Sequence, residues 1–370
     1  MTEKDIYNRY QRQIILPGFG EAAQHRLGQA KVLVIGAGGL GCSSLAYLTA
    51  AGVGTIGIVD DDRITLSNLH RQVLYGMEDI GSLKATTACR ILQEKNPGIQ
   101  ILAFAERMTT QNALEIIGRF DVIIDGSDNF ATRYMVNDAC VLLAKPLVYG
   151  AVSQFEGQVG IFNLANTDGR ARVNYRDLFP ELQNDTSIKN CSEAGVLGVL
   201  PGIIGTMQAN EAIKLITGIG ESLANRLLHY DALRSSIYEI TIMPGKNSHL
   251  FLPKDAEAFK QTPYNVVCDR IEQDLEIEQA TFKQLLSNEG VTIIDIREVG
   301  EIPLLDSIAH IAAPLSQWAN KIPAFPGDSW ICVCQTGKRS ATAAKLLFDT
   351  FGATKKIYSL KGGLLKWIEK

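Results

Sequence analysis

The glycine-rich stretch GAGGLG, residues 36–41, constrains the fold of this 370-residue chain more than any other feature. It follows KVLVIG, a β-branched apolar run typical of a buried parallel strand. It precedes LGCSSLAYLTAAG, whose apolar spacing indicates a helix. A strand, a glycine loop and a helix in this order predict a nucleotide-binding unit, because loop amides and a helix N-terminus bind phosphate. The glycines that we expect against the nucleotide are Gly36, Gly38, Gly39 and Gly41.

Strand and helix patterns alternate after this loop. The runs TIGIVD, IQILAF and DVIID are strand-like and separated by helical segments, which predicts a doubly wound, Rossmann-like, mostly parallel α/β sheet. From about residue 150, VYGAVSQ, QVGIFNL and LLHYDALRSSIYEITIM predict added antiparallel strands. Residues 165–190 are polar and weakly periodic and predict a long, mobile loop, and the apolar spacing of 192–218 predicts a helix.

The chain length predicts two domains, since 370 residues exceed one ordinary core. The periodicity fades over residues 251–275, which we interpret as a linker. It separates a first domain, residues 1–250, from a smaller α/β domain, residues 276–370. The second domain is predicted from the strand-like runs VTIIDI, SWICVC and KKIYSL and the helical runs ATFKQLLSN, RSATAAKLLFDTF and LLKWIEK.

Composition excludes several classes of protein. The net charge of −4, with both signs mixed along the chain, argues against binding nucleic acid. The sequence shows neither a signal peptide nor an apolar run long enough to span a membrane, so we expect a cytoplasmic protein. Its seven cysteines are odd in number and scattered, which favours reduced thiols over a disulfide framework.

Polar residues after the second strand narrow the choice of nucleotide. Asp60 ends that strand, where a ribose-binding carboxylate is expected, and together with the glycine loop it fits a nicotinamide-dependent oxidoreductase equally well. ATP chemistry needs cations that neutralise the leaving pyrophosphate, and it needs a carboxylate that holds magnesium. The polar residues that follow Asp60 include both kinds and therefore favour ATP over NAD. The further candidates for nucleotide contact are Asp62, Asn68, Arg71, Gln72, Lys84, Asp128 and Asn129.

Six motifs resemble the MoeB/ThiF family, the bacterial relatives of ubiquitin-activating enzymes. They are RYQRQIILPGFG, GAGGLG, LSNLHRQ, GSLKA, DGSDNFATRY and CSEAGVLG, and they lie in family order within about residues 5–245. The resemblance implies a homodimeric adenylyltransferase that uses ATP and Mg²⁺ to activate the C-terminal glycine of a ubiquitin-like sulfur-carrier protein. It implies the α-phosphate near Gly39, the ribose near Asp60, phosphate contacts from Asn68, Arg71 and Lys84, magnesium on Asp128, and Arg12 contributed by the partner subunit.

Two further sites in this family vary among its members. Some members use a cysteine at the position of Cys191, in KNCSEAG, to bond the carrier's C-terminus, whereas others do not need it, and both roles stay open for Cys191. Many members bind a structural zinc through two CxxC pairs. The corresponding stretches here, NYRD (174–177) and GKNSH (245–249), contain no cysteine, so we predict no structural zinc and expect packing or the second domain to replace its stabilisation.

The stretch CQTGKRS, residues 334–340, predicts a reactive thiol. Cys334 follows the apolar strand SWICV and precedes a helix, so loop amides, the helix N-terminus and two cations favour a thiolate and would stabilise a persulfide. Cys332, on the strand itself, is interpreted as a packing residue.

Together with TIIDIREVGE (Asp295, Arg297 and Glu298) and LKGGLLKW (360–367), this loop resembles the active-site loop of rhodanese-type sulfurtransferases over about residues 276–370. The resemblance implies a persulfide loop made of Cys334, Gln335, Thr336, Gly337, Lys338 and Arg339.

These features lead to one expected function and two alternatives. We expect ATP-dependent adenylation of a sulfur carrier ending in Gly-Gly, followed by sulfur transfer from a Cys334 persulfide to give a thiocarboxylate. A persulfide-carrying desulfurase or a small molecule would supply the sulfur, and molybdopterin, thiamin and tRNA thiolation pathways stay open. The alternatives are an NAD-dependent oxidoreductase with an unrelated C-terminal domain and a catalytically decayed carrier-binding protein.

Overall fold

An eight-stranded mixed sheet organises the N-terminal part of the chain in a computed structural model. Its strands are β1 (Lys31–Ile35), β2 (Thr55–Val59), β3 (Gln100–Phe104), β4 (Val122–Asp125), β5 (Leu147–Ser153), β6 (Glu156–Phe162), β7 (Arg226–Asp231) and β8 (Ser236–Thr241). The spatial order is β3-β2-β1-β4-β5-β6-β7-β8. The first five strands are parallel, and β5 to β8 pair antiparallel, which confirms the predicted Rossmann-like sheet with an antiparallel extension.

The structure describes residues 3–164, 172–180, 195–245, 248–264, 275–286, 288, 290–298, 300–302, 305, 308–318, 322–352 and 354–368. The chain divides into two compact units, residues 1–264 and 265–370. Among the described residues, no helix is both long and apolar enough to cross a lipid bilayer.

The helices of the first unit cover the sheet and connect its strands. They are α1 (Glu3–Ile14), α2 (Gly20–Gln29), α3 (Gly39–Ala51), α4 (Lys84–Lys95), α5 (Ala113–Gly118), α6 (Phe130–Leu142), α7 (Tyr175–Leu178), α8 (Leu200–Thr217) and α9 (Ala256–Gln261). Two apolar cores flank the sheet: one packs α3 and α8 against it, and the other packs α5 and α6. Helix α3 is buried over most of its surface, which suits its apolar sequence and its place between the sheet and α8.

The second unit is a five-stranded parallel sheet with helices. Its strands are β9 (Glu276–Ile277), β10 (Val291–Asp295), β11 (Ile311–Ala312), β12 (Ser329–Val333) and β13 (Lys356–Leu360), in the order β11-β10-β12-β13-β9. Its helices are α10 (Gln279–Leu285), α11 (Lys338–Phe351) and α12 (Gly363–Ile368). The sequence predicts the three longer strands and the three helices; it does not predict the two-residue strands β9 and β11, because two residues carry no readable period.

Three segments differ in detail from the sequence-based expectations. The helix predicted from residue 192 begins at Leu200, where Pro201 occupies the first turn and suits a helix start. Within the predicted mobile loop of residues 165–190, residues 172–180 include α7 and bury the side chains of Val173 and Tyr175. The rest of that loop, residues 165–171 and 181–190, lies outside the described residues.

The predicted linker, residues 251–275, contains ordered structure at both ends. Helix α9 and Tyr264 pack on the first unit, with Phe259 fully buried beside Tyr264. Leu275 is buried in the core of the second unit. Residues 265–274 lie outside the described part of the chain.

Gly41 controls how closely α3 approaches the end of β1. A Cβ atom at this position would collide with the carbonyl oxygen of Gly36, which is backbone and cannot move aside. We expect Gly41→Ala to destabilise the first unit by about 1–3 kcal/mol, the usual penalty for overpacking. Gly28→Ala is the matched control, because a Cβ there meets no atom within 4 Å and alanine favours the helix. Equal urea midpoints for the two variants would contradict this assignment.

Candidate functional sites

The glycine loop joins β1 to α3 at the carboxyl edge of the parallel strands. Two backbone hydrogen bonds hold it: the N–H of Gly36 donates to the Val59 carbonyl, and the N–H of Gly126 donates to the Ile35 carbonyl, both at 2.8 Å. Helix α3 begins at Gly39, so the N–H groups of its first turn have no carbonyl partner within the helix. These N–H groups and the helix dipole are available to an anion such as phosphate.

Asp60 ties the glycine loop to the end of β2. Its Oδ2 accepts a hydrogen bond from the N–H of Ala37, and its Oδ1 accepts one from the N–H of Asp62, both at 2.8 Å. Burial raises the pKa of the Asp60 carboxyl, and the positive charge of Lys84 opposes that rise. Each carboxylate oxygen keeps a further lone pair, which can accept a ribose hydroxyl.

The two cations predicted to contact phosphate, Lys84 and Arg71, come after Asp60 in the sequence. Each donates a hydrogen bond to an oxygen atom. The Nζ of Lys84 donates to Asp62 Oδ2 at 2.8 Å; the Lys84 side chain is 7% exposed and that of Asp62 is 72% exposed. The Nη1 of Arg71 donates to the Ser67 carbonyl at 3.0 Å. Asp62 therefore acts as the partner that positions Lys84.

Gln72 supplies an observation that points to a ligand. The residue is 3% exposed, its side chain lies against Gly38, and its Oε1 is buried without a hydrogen-bond partner among the described residues. A buried acceptor without a donor costs free energy, so this atom fits a site that a donor-bearing molecule completes. The neighbouring Asn68 has a structural task, because its Oδ1 accepts the N–H of Thr65 at 3.2 Å.

The remaining predicted residues of this site have different surroundings. Asp128 is exposed after β4, close to the buried Asp125, whose pKa is raised by burial. Asn129 caps α6, where its Oδ1 accepts the N–H of Thr132 at 2.9 Å. Arg12 is exposed in the last turn of α1, and its side chain makes no hydrogen bond or ion pair with residues that the structure describes. Cys191 lies outside the described residues.

The second site surrounds the sulfur of Cys334, which follows β12 and is fully buried. Two N–H groups donate to this sulfur: that of Gly337 at 3.2 Å and that of Ser340 at 3.3 Å. The Ser340 hydroxyl lies 3.4 Å from the same atom. Ser340 is in the first turn of α11, whose N–H groups lack helical partners, so the helix start stabilises negative charge on the sulfur.

Glycines allow the loop around Cys334 to close. Gly337 has a φ of +91°, a left-handed conformation that favours glycine. A Cβ at Gly363 would lie 2.5 Å from the carbonyl oxygen of Gln335. The N–H of Leu364 donates to the Cys334 carbonyl at 2.9 Å, so the LKGGLL segment forms one wall of the loop.

Two residues at this loop are not among those that the sequence predicts: Ser340, whose N–H donates to the sulfur, and Glu301. Both guanidinium NH₂ groups of Arg339 donate to the Glu301 carboxylate, at 2.6 and 2.5 Å. Glu301 ends the motif TIIDIREVGE, but nothing in its local spacing connects it to a residue far along the chain. Arg297, from the same motif, donates to Asp295 at 2.7 Å. Nothing is described of the Lys338 side chain.

The other described cysteines are packing residues. Cys42, Cys140 and Cys332 are buried and Cys89 is half-buried, and burial raises the pKa of all four thiols. A raised pKa keeps these thiols protonated and unreactive at neutral pH. Cys268 lies outside the described residues.

The two stretches that correspond to zinc-binding segments are joined by a carboxylate. Asp177 Oδ1 accepts the N–H of Gly245 at 2.6 Å, and its Oδ2 accepts the N–H of Asn174 at 2.7 Å. The described donors here are oxygens and amides rather than thiols, and no cluster of three metal-ligating side chains occurs in the described ranges. These residues do not fit a four-thiolate zinc site.

A buried ion pair holds the same region from the other side. Arg176 donates to both carboxylate oxygens of Asp138, at 2.7 and 2.8 Å, and both side chains are almost fully buried. The Tyr264 hydroxyl donates to Asp138 at 2.7 Å. Helix α7 is therefore fixed to α6 and to the end of the first unit by charge-assisted hydrogen bonds.

Comparison with known proteins identifies the two units. The model of the ThiF family matches residues 10–250, nearly two thirds of the chain. The chain belongs to the ThiF family. A rhodanese-like domain model matches residues 278–370, so this member of the ThiF family also carries a rhodanese-like domain.

Curated relatives match over one or both units. A sulfur carrier protein adenylyltransferase of Thermus thermophilus is 51% identical over 239 residues, covering 65% of this chain and 88% of that protein. A probable adenylyltransferase/sulfurtransferase MoeZ of Mycobacterium tuberculosis is 40% identical over 370 residues, covering 98% of this chain and 93% of the relative. The adenylyltransferase and sulfurtransferase MOCS3 of Xenopus laevis is 34% identical over 400 residues, covering 100% of this chain and 87% of that protein.

Solved structures support the fold of the first unit. A crystal structure of E. coli MccB with ATP is 24% identical, covers 65% of this chain and 72% of MccB, and has a TM-score of 0.54. At this identity the likeness concerns the fold alone.

Asp177 is expected to stabilise this ThiF-family unit without metal. Asp177→Ala removes an acceptor of two backbone N–H groups, so we expect a loss of about 2 kcal/mol in the free energy of unfolding. Asp255→Ala is the control: it removes a single helix cap on the same unit, worth about 1 kcal/mol. The measurement is urea denaturation of the first unit with and without EDTA. A chelator effect, or one zinc per chain by metal analysis, would contradict the metal-free assignment.

Proposed function

We propose that this protein adenylates the C-terminal glycine of a ubiquitin-like sulfur-carrier protein and then delivers sulfur to it from Cys334. The observation that carries the proposal is the sulfur of Cys334, held by two backbone N–H groups at a helix start, in a chain whose other unit has a nucleotide loop. The relatives that match almost the whole chain are named for both activities, which supports the proposal and disfavours the nicotinamide alternative.

The adenylation step follows from the charges around the glycine loop. The carrier's carboxylate attacks the α-phosphorus of ATP, a P–O bond forms, and pyrophosphate leaves with the electron pair of the bond that breaks. Arg71 and Lys84 neutralise that leaving group, the loop amides bind phosphate, and Asp60 binds the ribose. Magnesium, when bound, would add positive charge at the phosphates, and Asp128 would hold it.

Sulfur transfer uses the anion site in the second unit. The terminal sulfur of a Cys334 persulfide attacks the acyl carbon of the adenylate, and AMP leaves with the electron pair. The product is an acyl disulfide between the carrier and Cys334. A thiol, either Cys191 or an external one, then attacks the Cys334 sulfur; the S–S bond breaks, and the carrier leaves as a thiocarboxylate while Cys334 remains in a disulfide.

We further propose a homodimer in the cytoplasm in which Arg12 completes the partner's nucleotide site. Its exposed position at the end of α1, without a described partner in its own chain, supports this role. The sulfur would come from a persulfide-carrying desulfurase or a small molecule. Neither nucleic acid nor a membrane has a part in this chemistry.

The two half-reactions should separate by mutation. Asp128→Ala should lower the rate of ATP–pyrophosphate exchange by on the order of a hundredfold. Without Asp128 the magnesium ion would not be held, and the negative charge on the phosphates in the transition state would not be neutralised. This variant should leave thiosulfate-to-cyanide sulfur transfer unchanged. Cys334→Ala should do the reverse and also abolish the mass increase of the carrier when sulfur replaces oxygen. Asp328→Ala, which removes a 95% exposed carboxylate, is the control. Normal thiocarboxylate formation by Cys334→Ala would instead make Cys191 the acceptor thiol.

Subunit mixing tests the shared site. Arg12→Ala and Asp128→Ala protomers are each expected to be inactive in exchange, whereas their heterodimer retains one complete site and should recover part of the activity. Heterodimer formation is checked by native mass spectrometry with one protomer carrying a tag. An inactive mixture that contains proven heterodimers would show that Arg12 does not act across the interface.

A further inference from the structure

An ion pair joins Arg339, in the loop that holds the Cys334 sulfur, to Glu301. The two side chains meet through two short hydrogen bonds, and they are 31% and 25% exposed. The Arg339 guanidinium lowers the pKa of Glu301 to about 2, and Glu301 in turn raises the pKa of Arg339. The pair is therefore fully charged, and intact, at any pH above the acid range.

The pair lies at the sulfur loop. Arg339 is in the first turn of α11, between the two residues whose N–H groups donate to Cys334. The N–H of Ser340, the next residue along the chain, donates to the sulfur at 3.3 Å, so Arg339 belongs to the turn that holds the sulfur. On the other side, Gln335 Nε2 donates to the carbonyl of Ile302, so the segment that carries Glu301 contacts the loop.

A second arginine near this loop is neutralised in the same way. Arg297 holds Asp295 through several hydrogen bonds, the shortest at 2.7 Å, and both side chains are buried. Arg297 and Glu301 lie on one segment after β10, where the N–H of Glu298 donates to Glu301 at 2.9 Å, and the charge of Arg297 adds to the lowering of the Glu301 pKa. Each guanidinium thus has a carboxylate partner, and neither presents an uncompensated charge to an incoming anion.

We propose that Glu301 determines which sulfur donor the loop accepts: by pairing with Arg339 it disfavours small dianionic donors such as thiosulfate, while persulfide donors remain good substrates. This inference rests on the sulfurtransferase function proposed for Cys334. It assigns Glu301 a role in specificity through Arg339, and not a role in the bond-making step itself.

The two donors differ in the charge that their reactions create. With thiosulfate, the Cys334 thiolate attacks the outer sulfur, the S–S bond breaks, and sulfite leaves as a dianion with the electron pair. With a persulfide, R–S–SH, the same attack releases R–S⁻, and the new Cys334–S–SH then loses its proton. A departing sulfite dianion needs stabilisation by a free cation in the transition state more than a thiolate monoanion does. The nearby cation is the Arg339 guanidinium, and its ion pair with Glu301 makes it less available.

The test compares both donors in full-length variants. Glu301→Gln keeps a carbonyl oxygen for the N–H of Glu298, which donates to Glu301 at 2.9 Å, so the turn should remain folded. We expect its kcat/KM with thiosulfate to rise by about tenfold, the factor that corresponds to one ion-pair charge in a partly exposed site. With cysteine persulfide, kcat/KM should change less than about twofold, since a monoanionic leaving group gains little from the freed cation.

Two further variants isolate the mechanism. Asp328→Asn removes a carboxylate of the same unit whose ion-pair partner is Lys355 rather than Arg339, so thiosulfate turnover should stay near that of the wild type. The double variant Glu301→Gln with Arg339→Gln should lose the gain, because the freed guanidinium is its source. Thermal melts of all variants check that they are folded.

The outcomes separate this inference from the function on which it rests. If the wild type transfers sulfur from cysteine persulfide but Glu301→Gln shows no gain with thiosulfate, the donor inference is wrong and the sulfurtransferase function stands. An equal gain for Asp328→Asn, or a persistent gain in the double variant, also overturns it. If neither donor loads Cys334 in the wild type, both proposals fail together.

Discussion

The close approach of α3 to the end of β1 is the constraint on which the nucleotide site depends. Helix α3 can begin directly at the strand only because Gly41 leaves room for the Gly36 carbonyl. This approach places the N–H groups of the helix start at the carboxyl edge of the sheet. The loop is then held by Asp60, through the N–H of Ala37, and by the Tyr75 hydroxyl, which donates to the Ala37 carbonyl at 2.9 Å. A nucleotide site in this ThiF-family unit thus begins with backbone packing.

The second unit also has a glycine-containing loop between a strand and a helix start, here around the Cys334 sulfur. Both loops connect a buried parallel strand to a helix, and in each a glycine has a φ of +91°, Gly36 in the first and Gly337 in the second. Backbone N–H groups at a helix start are available to an anion in the first loop, and in the second they donate to the Cys334 sulfur. Near each loop the structure describes one cation in an ion pair, Lys84 with Asp62 and Arg339 with Glu301. Pairing fixes where these cations lie and limits how much free positive charge each site presents.

The region that corresponds to the zinc-binding segments shows how a chain without those thiolates can maintain the same connection. A zinc ion would join two segments by four bonds, and here one carboxylate joins them by hydrogen bonds to the N–H groups of Asn174 and Gly245. The buried pair of Arg176 and Asp138 fixes the first of these stretches to α6. Charge-assisted hydrogen bonds in a buried setting are among the stronger polar interactions in proteins, so they can maintain this contact without metal.

The sequence by itself determined the longer strands, most of the helices and the two α/β units, because strand and helix periods and glycine positions are local properties. It did not determine α7, α9 or the two-residue strands β9 and β11. The sequence did locate Asp60 and Cys334, since each directly follows a strand that the pattern predicts. Only the tertiary structure decided the partners: that Glu301 pairs with Arg339, that Asp177 reaches Gly245, and that α7 is buried within a polar stretch. These contacts join residues far apart in the chain, and no local spacing records them. The sequence therefore predicts where the chemistry takes place, and the folded chain decides the charges that surround it.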